Sequence, residues 1–355
     1  MNPFLSVAVL VGVVSLLVLL PVVPALAELR SKSDALPLTV VQQNAGEIRH
    51  FAHSFRSYIQ KLEPVLQQCT ASGTTARGPV PDGGEYFAIG GSEETPVFLL
   101  DRDSVCPFLI VAGAALSVPA GITFANDVYA AGRFLGGQGN TYRAILGEDD
   151  VHLGPSSRVL RWVHATGRFT AEAGSRLYGR ASSDAVLRLQ RDCAFLRLNA
   201  PRIEVGLLEE DSPVPETVVS SAPDSSTPQR FLRDGDFEIA AGEVLRGNLV
   251  IRGNLRVQPG ARICGSVKSG GDLLLQDGVS VEGSLISGKN VRLGRNCSVH
   301  GPVIAERSMF VASGTRCGNP SLPTTVSALH IQVQEGVVVH GTLWARETGE
   351  VVPRA

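Results

Sequence analysis

Two histidines sit in the same local setting. Val299-His300-Gly301 and Val339-His340-Gly341 each place an imidazole one residue beyond a valine and just before a glycine. Such a group could act as a general base, taking a proton from a hydroxyl or thiol nucleophile near neutral pH. Acidic residues gather at Asp101/Asp103, Glu148/Asp149/Asp150 and Asp234/Asp236, the residue types a sugar-cleaving enzyme needs on either side of the scissile bond. Each acidic set lies beside turn residues, where Asp bonds its own backbone. Each histidine follows an inward-facing valine and therefore points outward at a corner. The six cysteines (Cys69, Cys106, Cys193, Cys264, Cys297, Cys317) are scattered, and Cys193, Cys297 and Cys317 read as buried small apolar residues. No phosphate-binding glycine loop, nucleophile elbow or metal-ligand spacing occurs. The residues thus predict no catalytic, cofactor or metal site.

The elements that would position these side chains follow from an internal period. Gly247, Gly265, Gly283 and Gly301 are spaced by 18 residues, and Pro259-Gly260, Asp277-Gly278, Arg295-Asn296 and Ser313-Gly314 form a second column with the same step. Each step of 18 divides into three sixes, and within a six the residues i and i+2 are small or apolar, as in Leu249/Ile251, Leu255/Val257 and Ala261/Ile263. An i, i+2 pair is one face of a strand. Three short strands with corners between them close a triangular coil, and stacking at roughly 4.8 Å makes a continuous apolar interior. The predicted fold is all-β, a parallel β-helix (β-solenoid) of about 18 residues per coil. The step returns four residues late at Glu335-Gly336 and Gly341, which predicts a surface loop within Gly318–Pro323. A weaker copy of the period runs through Ser157-Arg158, Ser175-Arg176 and Cys193-Ala194, with one slip of phase near Gly136–Asp150.

Flanking segments complete the organisation. Phe4–Val23 is uncharged and almost wholly apolar, long enough to span a bilayer as a helix. Ala25-Leu26-Ala27 offers a signal-peptide cleavage pattern, whereas the absence of a basic n-region and the run Arg30, Lys32, Arg49, Arg56, Lys61 favour an uncleaved anchor with the body on the cytoplasmic side. Ile48–Leu66 has the three-and-four spacing of an amphipathic helix, either lying on a membrane or packed on its own domain. Residues 70–85 read as a linker. The expected units are an anchor or signal peptide at 1–27, helix and linker at 28–107, a first solenoid block at 108–206, an acidic Ser/Pro-rich linker at 207–231, a second block at 232–348 and a tail at 349–355. With 32 basic against 34 acidic residues there is no global field for nucleic acid. Hydrophobic residues at 44% exclude a disordered chain.

The run from Gly247 to Val303, with Gly-x-Leu/Val steps alternating with Pro/Asp-Gly corners, resembles the bactofilins, bacterial polymer-forming cytoskeletal proteins, over about 232–318. That resemblance implies a right-handed β-helix that assembles end to end without nucleotide at the inner face of the bacterial membrane. The added N-terminal segment and second block favour a membrane-attached scaffold for envelope or cell-shape components. The competing likeness is to the hexapeptide-repeat acyltransferases, left-handed β-helices that use acyl-coenzyme A and a histidine base. Leu293–Ile304 fits their repeat, and His300 or His340 would be the base, but elsewhere glycine falls one or two places late. In a solenoid the end coils carry unpaired strand edges. The expected self-contact residues are Phe231 and Phe237 at the start of the second block and Leu343 and Trp344 at its end, unless these only cap the core. The expected location is the bacterial inner membrane as a single-pass protein with a cytoplasmic body, or the periplasm or exterior after cleavage near Ala27.

Overall fold

One corner of each coil turns through a left-handed residue, and the sequence places glycine there for that reason. In the computed structural model, Gly242, Gly260, Gly278, Asn296 and Gly314 follow one another at steps of 18, all at positive φ, with Asn296 at 55°. Asparagine is the side-chain-bearing residue best suited to that conformation. The same corner in the first run is Gly121, Gly139, Ser156, Gly174 and Asp192. Its one step of 17, between Gly139 and Ser156, is the phase slip. The structure describes residues 49–80, 83–91, 104–206 and 230–354, with Val9, Val13, Val14 and Leu20 nearer the N-terminus.

The fold is an all-β parallel solenoid of about 12 turns. A representative coil consists of Asn248–Ile251, Leu255–Val257 and Arg262–Cys264, each strand paired in parallel with the one 18 residues on. The i, i+2 pairs point inward, so Leu249, Ile251, Leu255, Val257, Ala261 and Ile263 are all buried. The buried cysteines Cys193, Cys297 and Cys317 occupy these inward columns. A second corner brings successive backbones into contact. A Cβ on Gly283 or Gly301 would lie 2.6 Å from the carbonyl carbon of the glycine one coil below, which only glycine permits.

Polar corners are tied from coil to coil. The Asp236 carboxylate accepts the Asn254 N–H, the Asn254 carbonyl oxygen accepts the Asp272 N–H, and the Asp272 carboxylate accepts the Asn290 N–H, at 2.7, 2.8 and 3.2 Å. Each side chain thereby satisfies a backbone donor that the corner leaves outside the strand ladder. The late step of the repeat is a tight turn in which the Asn319 and Leu322 backbones pair with each other.

The two runs meet by their last coils, with chain direction reversed. Strand Ala194–Val205 pairs antiparallel with Val337–Val352, setting Leu198 opposite Leu343, Ile203 opposite Val339 and Val205 opposite Val337. Inward residues face inward residues, so one core passes through the junction. The strand Val337–Val352 extends four residues past 348.

Before the solenoid the chain forms helix α1 (His50–Ile59), a short 3-10 turn at Gln60–Leu62, and helix α2 (Glu63–Ser72). The amphipathic stretch is thus two helices, and Pro64 sits in the first turn of the second, where its missing N–H costs nothing. Residues 70–85 correct the expected linker: α2 runs on to Ser72, and strand Thr75–Pro79 forms an antiparallel pair with Glu85–Ile89. Glu85–Ile89 pairs in parallel with Leu109–Ala112, so coil stacking begins before residue 108. The expected anchor at 4–23 and residues 207–229 of the expected linker at 207–231 lie outside the described residues apart from the isolated positions named above, while Arg230 and Phe231 already belong to the strand Arg230–Arg233. Among the described residues no helix is long and apolar enough to cross a membrane.

Candidate functional site

The residue types that first suggested chemistry do not converge. His300 is partly exposed at a corner, and its backbone N–H is bound to Val281. His340 lies at the junction, where its Nδ1–H donates to the Pro201 carbonyl at 2.8 Å. Burial lowers its pKa, reinforced by Arg202 and Arg316, against the pull of the Pro201 carbonyl. Asp234 pairs with Arg252 at 3.1 Å. Asp236 and Asp150 accept backbone N–H groups of the next coil, and the Asn254 backbone N–H holds the Asp236 carboxyl below its usual pKa. Asp101 and Asp103 lie outside the described residues. Burial pushes Cys193 and Cys297 up to about 11 and Cys317 to about 12, so all three are protonated thiols at neutral pH. Among the described residues no group of three or more His, Cys, Asp or Glu is placed to hold a metal.

A polar cluster that the sequence did not single out lies under α1. Ala52, Phe55 and Ile59 of that helix pack on Val111, Ala144, Leu146 and Trp162, which face outward from one side of the first run. Beside this apolar seam, Arg56 binds Glu148 through two hydrogen bonds of 2.7 Å, and Arg49 pairs with Asp184 at 3.0 Å. Between them His164 is 1% exposed, with Nδ1 sharing a hydrogen bond of 2.9 Å with Ser182 Oγ and Nε2 at 3.7 Å from Asp184. The composition is that of a Ser-His-Asp triad, but the serine is itself 2% exposed and the helix covers the group. Without access for an acyl substrate the arrangement clasps the helix instead. Burial lowers His164 to about 4 despite the nearby Asp184, so it is neutral at pH 7. Burial also opposes the charge on Glu148, yet the Arg56 hydrogen bonds and charge outweigh that and lower its pKa.

Among the described residues, the outer faces include two open clefts. The larger, about 370 Å³, is lined by Leu274, Asp277, Arg292, Phe310 and Gln334, with Arg292 seated over the Phe310 ring at 4.7 Å. The smaller, about 310 Å³, includes Arg133, Leu135, Asp150, His152 and Arg168. In the second, His152 is paired with Glu172 at 2.8 Å. Neither assembles a nucleophile with a base.

The ends differ more than the faces. The expected contact residues Leu343 and Trp344 sit at the internal junction: Leu343 is 0% exposed opposite Leu198, and Trp344 lies under the Arg197 guanidinium at 4.8 Å. Their contact is made within the chain, because the first run already covers the last coil of the second. Phe231 and Phe237 lie at the other end, in the coil Arg230–Arg246. Its strands Arg230–Arg233, Phe237–Ile239 and Val244–Arg246 pair on one side with the next coil, and no described strand pairs with their other edge. Phe231, Phe237 and Leu245 are partly buried against the end of the core, while Leu232 and Val244 are 55% and 53% exposed. A sheet edge that no described strand covers, with apolar side chains beside it, is a template for another chain.

The far end of the first run is dressed differently. Thr75–Pro79 closes one face as an antiparallel strand, Arg77 lies over the Phe108 ring at 4.7 Å, and Pro79 has no N–H to offer. Comparison with protein-family models, curated proteins and solved structures finds no match to this chain.

Proposed function

We propose that this protein is a membrane-anchored, self-associating β-solenoid scaffold of the bactofilin type, which organises envelope or cell-shape components from the cytoplasmic face of a bacterial inner membrane. The observation that carries the reading is the coil Arg230–Arg246, whose strand edges face no other described strand and whose Leu232 and Val244 stand in solvent. Backbone groups along such an edge and the apolar side chains beside it gain from a further β-layer. The right-handed sense and the anchor at 4–23 belong to the same proposal, resting on the likeness of 232–318 and on the apolar run of Phe4–Val23. The reading assigns no catalytic step to His300 or His340.

The test is sedimentation and electron microscopy of the full-length chain in mild detergent, without nucleotide, over a hundredfold range of concentration. Assemblies larger than a monomer are expected. A monomer throughout, or saturable binding of acyl-coenzyme A abolished by His300→Ala, would overturn the scaffold in favour of a lone or enzymatic solenoid. Flotation with lipid vesicles that disappears on deleting 4–23 is the expected result for the anchor.

A further inference from the structure

The internal junction supplies a pairing rule. There the two terminal coils run antiparallel, middle face to middle face and first face to third, with inward residues opposite inward residues: Phe195 with Gly349, Leu198 with Leu343, Ile203 with Val339. At the open end the inward positions follow from register with Leu249, Ile251, Leu255 and Val257 and from the step of 18. They are 231 and 233, 237 and 239, 243 and 245. These six positions are symmetric about Glu238, as the inward positions of every such coil are about its middle residue; this coil differs in that no described strand pairs with its outer edge.

From this symmetry we infer that the coil Arg230–Arg246 pairs with the same coil of a second copy about a two-fold axis at Glu238, closing a dimer. The inference rests on the self-association reading and specifies its geometry. The axis sets Phe231 opposite the partner's Leu245 and Phe237 opposite the partner's Ile239, and so extends the core across the interface. Outside, the exposed Leu232 meets the partner's Val244.

The same axis brings together two charged residues of this coil. Arg233 stands in a column otherwise filled by Ile251, Ser269, Ser287 and Ala305, and Glu243 in a column of Ala261, Val279, Cys297 and Thr315. In the single chain both are exposed: Arg233 lies over the Phe237 ring at 5.6 Å, and the Glu243 carboxylate accepts the Ala240 N–H at 2.9 Å. Across the two-fold axis each Arg233 faces the partner's Glu243, and the pairing occurs twice. Opposite charges so placed select the register and suppress alternatives. The other end differs: the antiparallel strand Thr75–Pro79 covers one of its faces in place of a further parallel layer. A two-fold contact uses the same patch on both copies and so closes on itself at this end.

Glu238 meets its own copy on the axis, and like charges directly opposite weaken a strand pair. Glu238→Gln is therefore expected to tighten the dimer.

The experiment is sedimentation velocity of the full-length chain in detergent, with circular dichroism as a control for the fold. The wild type is expected to be a dimer. Arg233→Glu or Glu243→Arg alone should raise the dissociation constant by at least about tenfold, and the double exchange should restore the dimer with β-sheet dichroism unchanged. Open-ended polymers would leave self-association standing but overturn closure. A dimer indifferent to all three variants would overturn the register. A monomer at every concentration, as when residues 207–229 or another protein cover the edge, would overturn both this inference and the self-association reading.

Discussion

Arg56 and Glu148, 92 residues apart in the chain, are locked by paired hydrogen bonds of 2.7 Å that fasten a helix to the side of the solenoid. The guanidinium fork matches both carboxylate oxygens, and Thr166 Oγ1 donates to the same carboxylate at 3.0 Å. Arg56→Met keeps much of the aliphatic stem and removes the fork. It should cost about 1–2 kcal/mol and raise amide exchange over His50–Ile59 well before the strands exchange. Because Arg56 holds the Glu148 pKa low, this contribution is complete above the unfolded carboxylate range and is lost as pH falls from there through the lowered folded value.

His164 should give the fold an acid-labile component. Its folded pKa of about 4 is below the ordinary 6.5, so between those values the unfolded chain binds more protons and stability declines as pH falls. The loss begins near pH 6.5 and grows as pH falls toward the lowered folded value. Urea midpoints measured from pH 7.5 to 4.5 should show this slope for the wild type. A His164→Leu variant should lose most of it; an equal slope in both proteins would locate the acid sensitivity elsewhere.

The left-handed corner predicts an asymmetric response to small substitutions. Asn296→Gly should be neutral or slightly stabilising, whereas Asn296→Ala should cost about 1 kcal/mol from the φ of 55° alone. Gly283→Ala, at the tight corner, should cost several kcal/mol, since its methyl would press on the coil below at 2.6 Å. Chemical denaturation of the three variants ranks them.

The internal junction can be broken by one substitution in the last coil of the second run. Leu343→Asp would bury an unpaired carboxylate opposite Leu198, a change of about 3–5 kcal/mol. The expected outcome is loss of the single unfolding transition, with the two runs melting separately by calorimetry. Retention of one sharp transition at the wild-type temperature would show that the junction does not couple them.

Much of this architecture was legible because its rules are local. An inward pair every six residues and a left-handed residue every eighteen are written in the positions themselves, and even the four-residue loop before Thr324 announced itself as a late glycine. The reversal at Ala194–Val205 was not legible, since alternation along a strand is the same whether its neighbour runs parallel or antiparallel. That is why Leu343 and Trp344 read as an outer end. Thr75–Pro79 read as linker because its small polar residues carry no apolar face; its order comes from backbone pairing with Glu85–Ile89. The helix clasp was hidden for another reason. Single charges such as Arg56 and Glu148 do not name their partners, and the seam under α1 is lined by outward residues of strands whose inward residues already satisfied the repeat. At the open end the sequence pointed to Phe231 and Phe237, while Arg233 and Glu243 gave no signal of their own; the strand register places them in inward columns.

The reversed junction also sets a timetable. As the chain leaves the ribosome, Ala194–Val205 is complete long before the strand that will cover it, which starts at Val337. At about 5–20 residues per second the delay is on the order of ten seconds. For that interval the nascent first run presents a bare, well-formed edge to every other nascent copy nearby, and the hazard of mispairing belongs to synthesis rather than to the finished molecule.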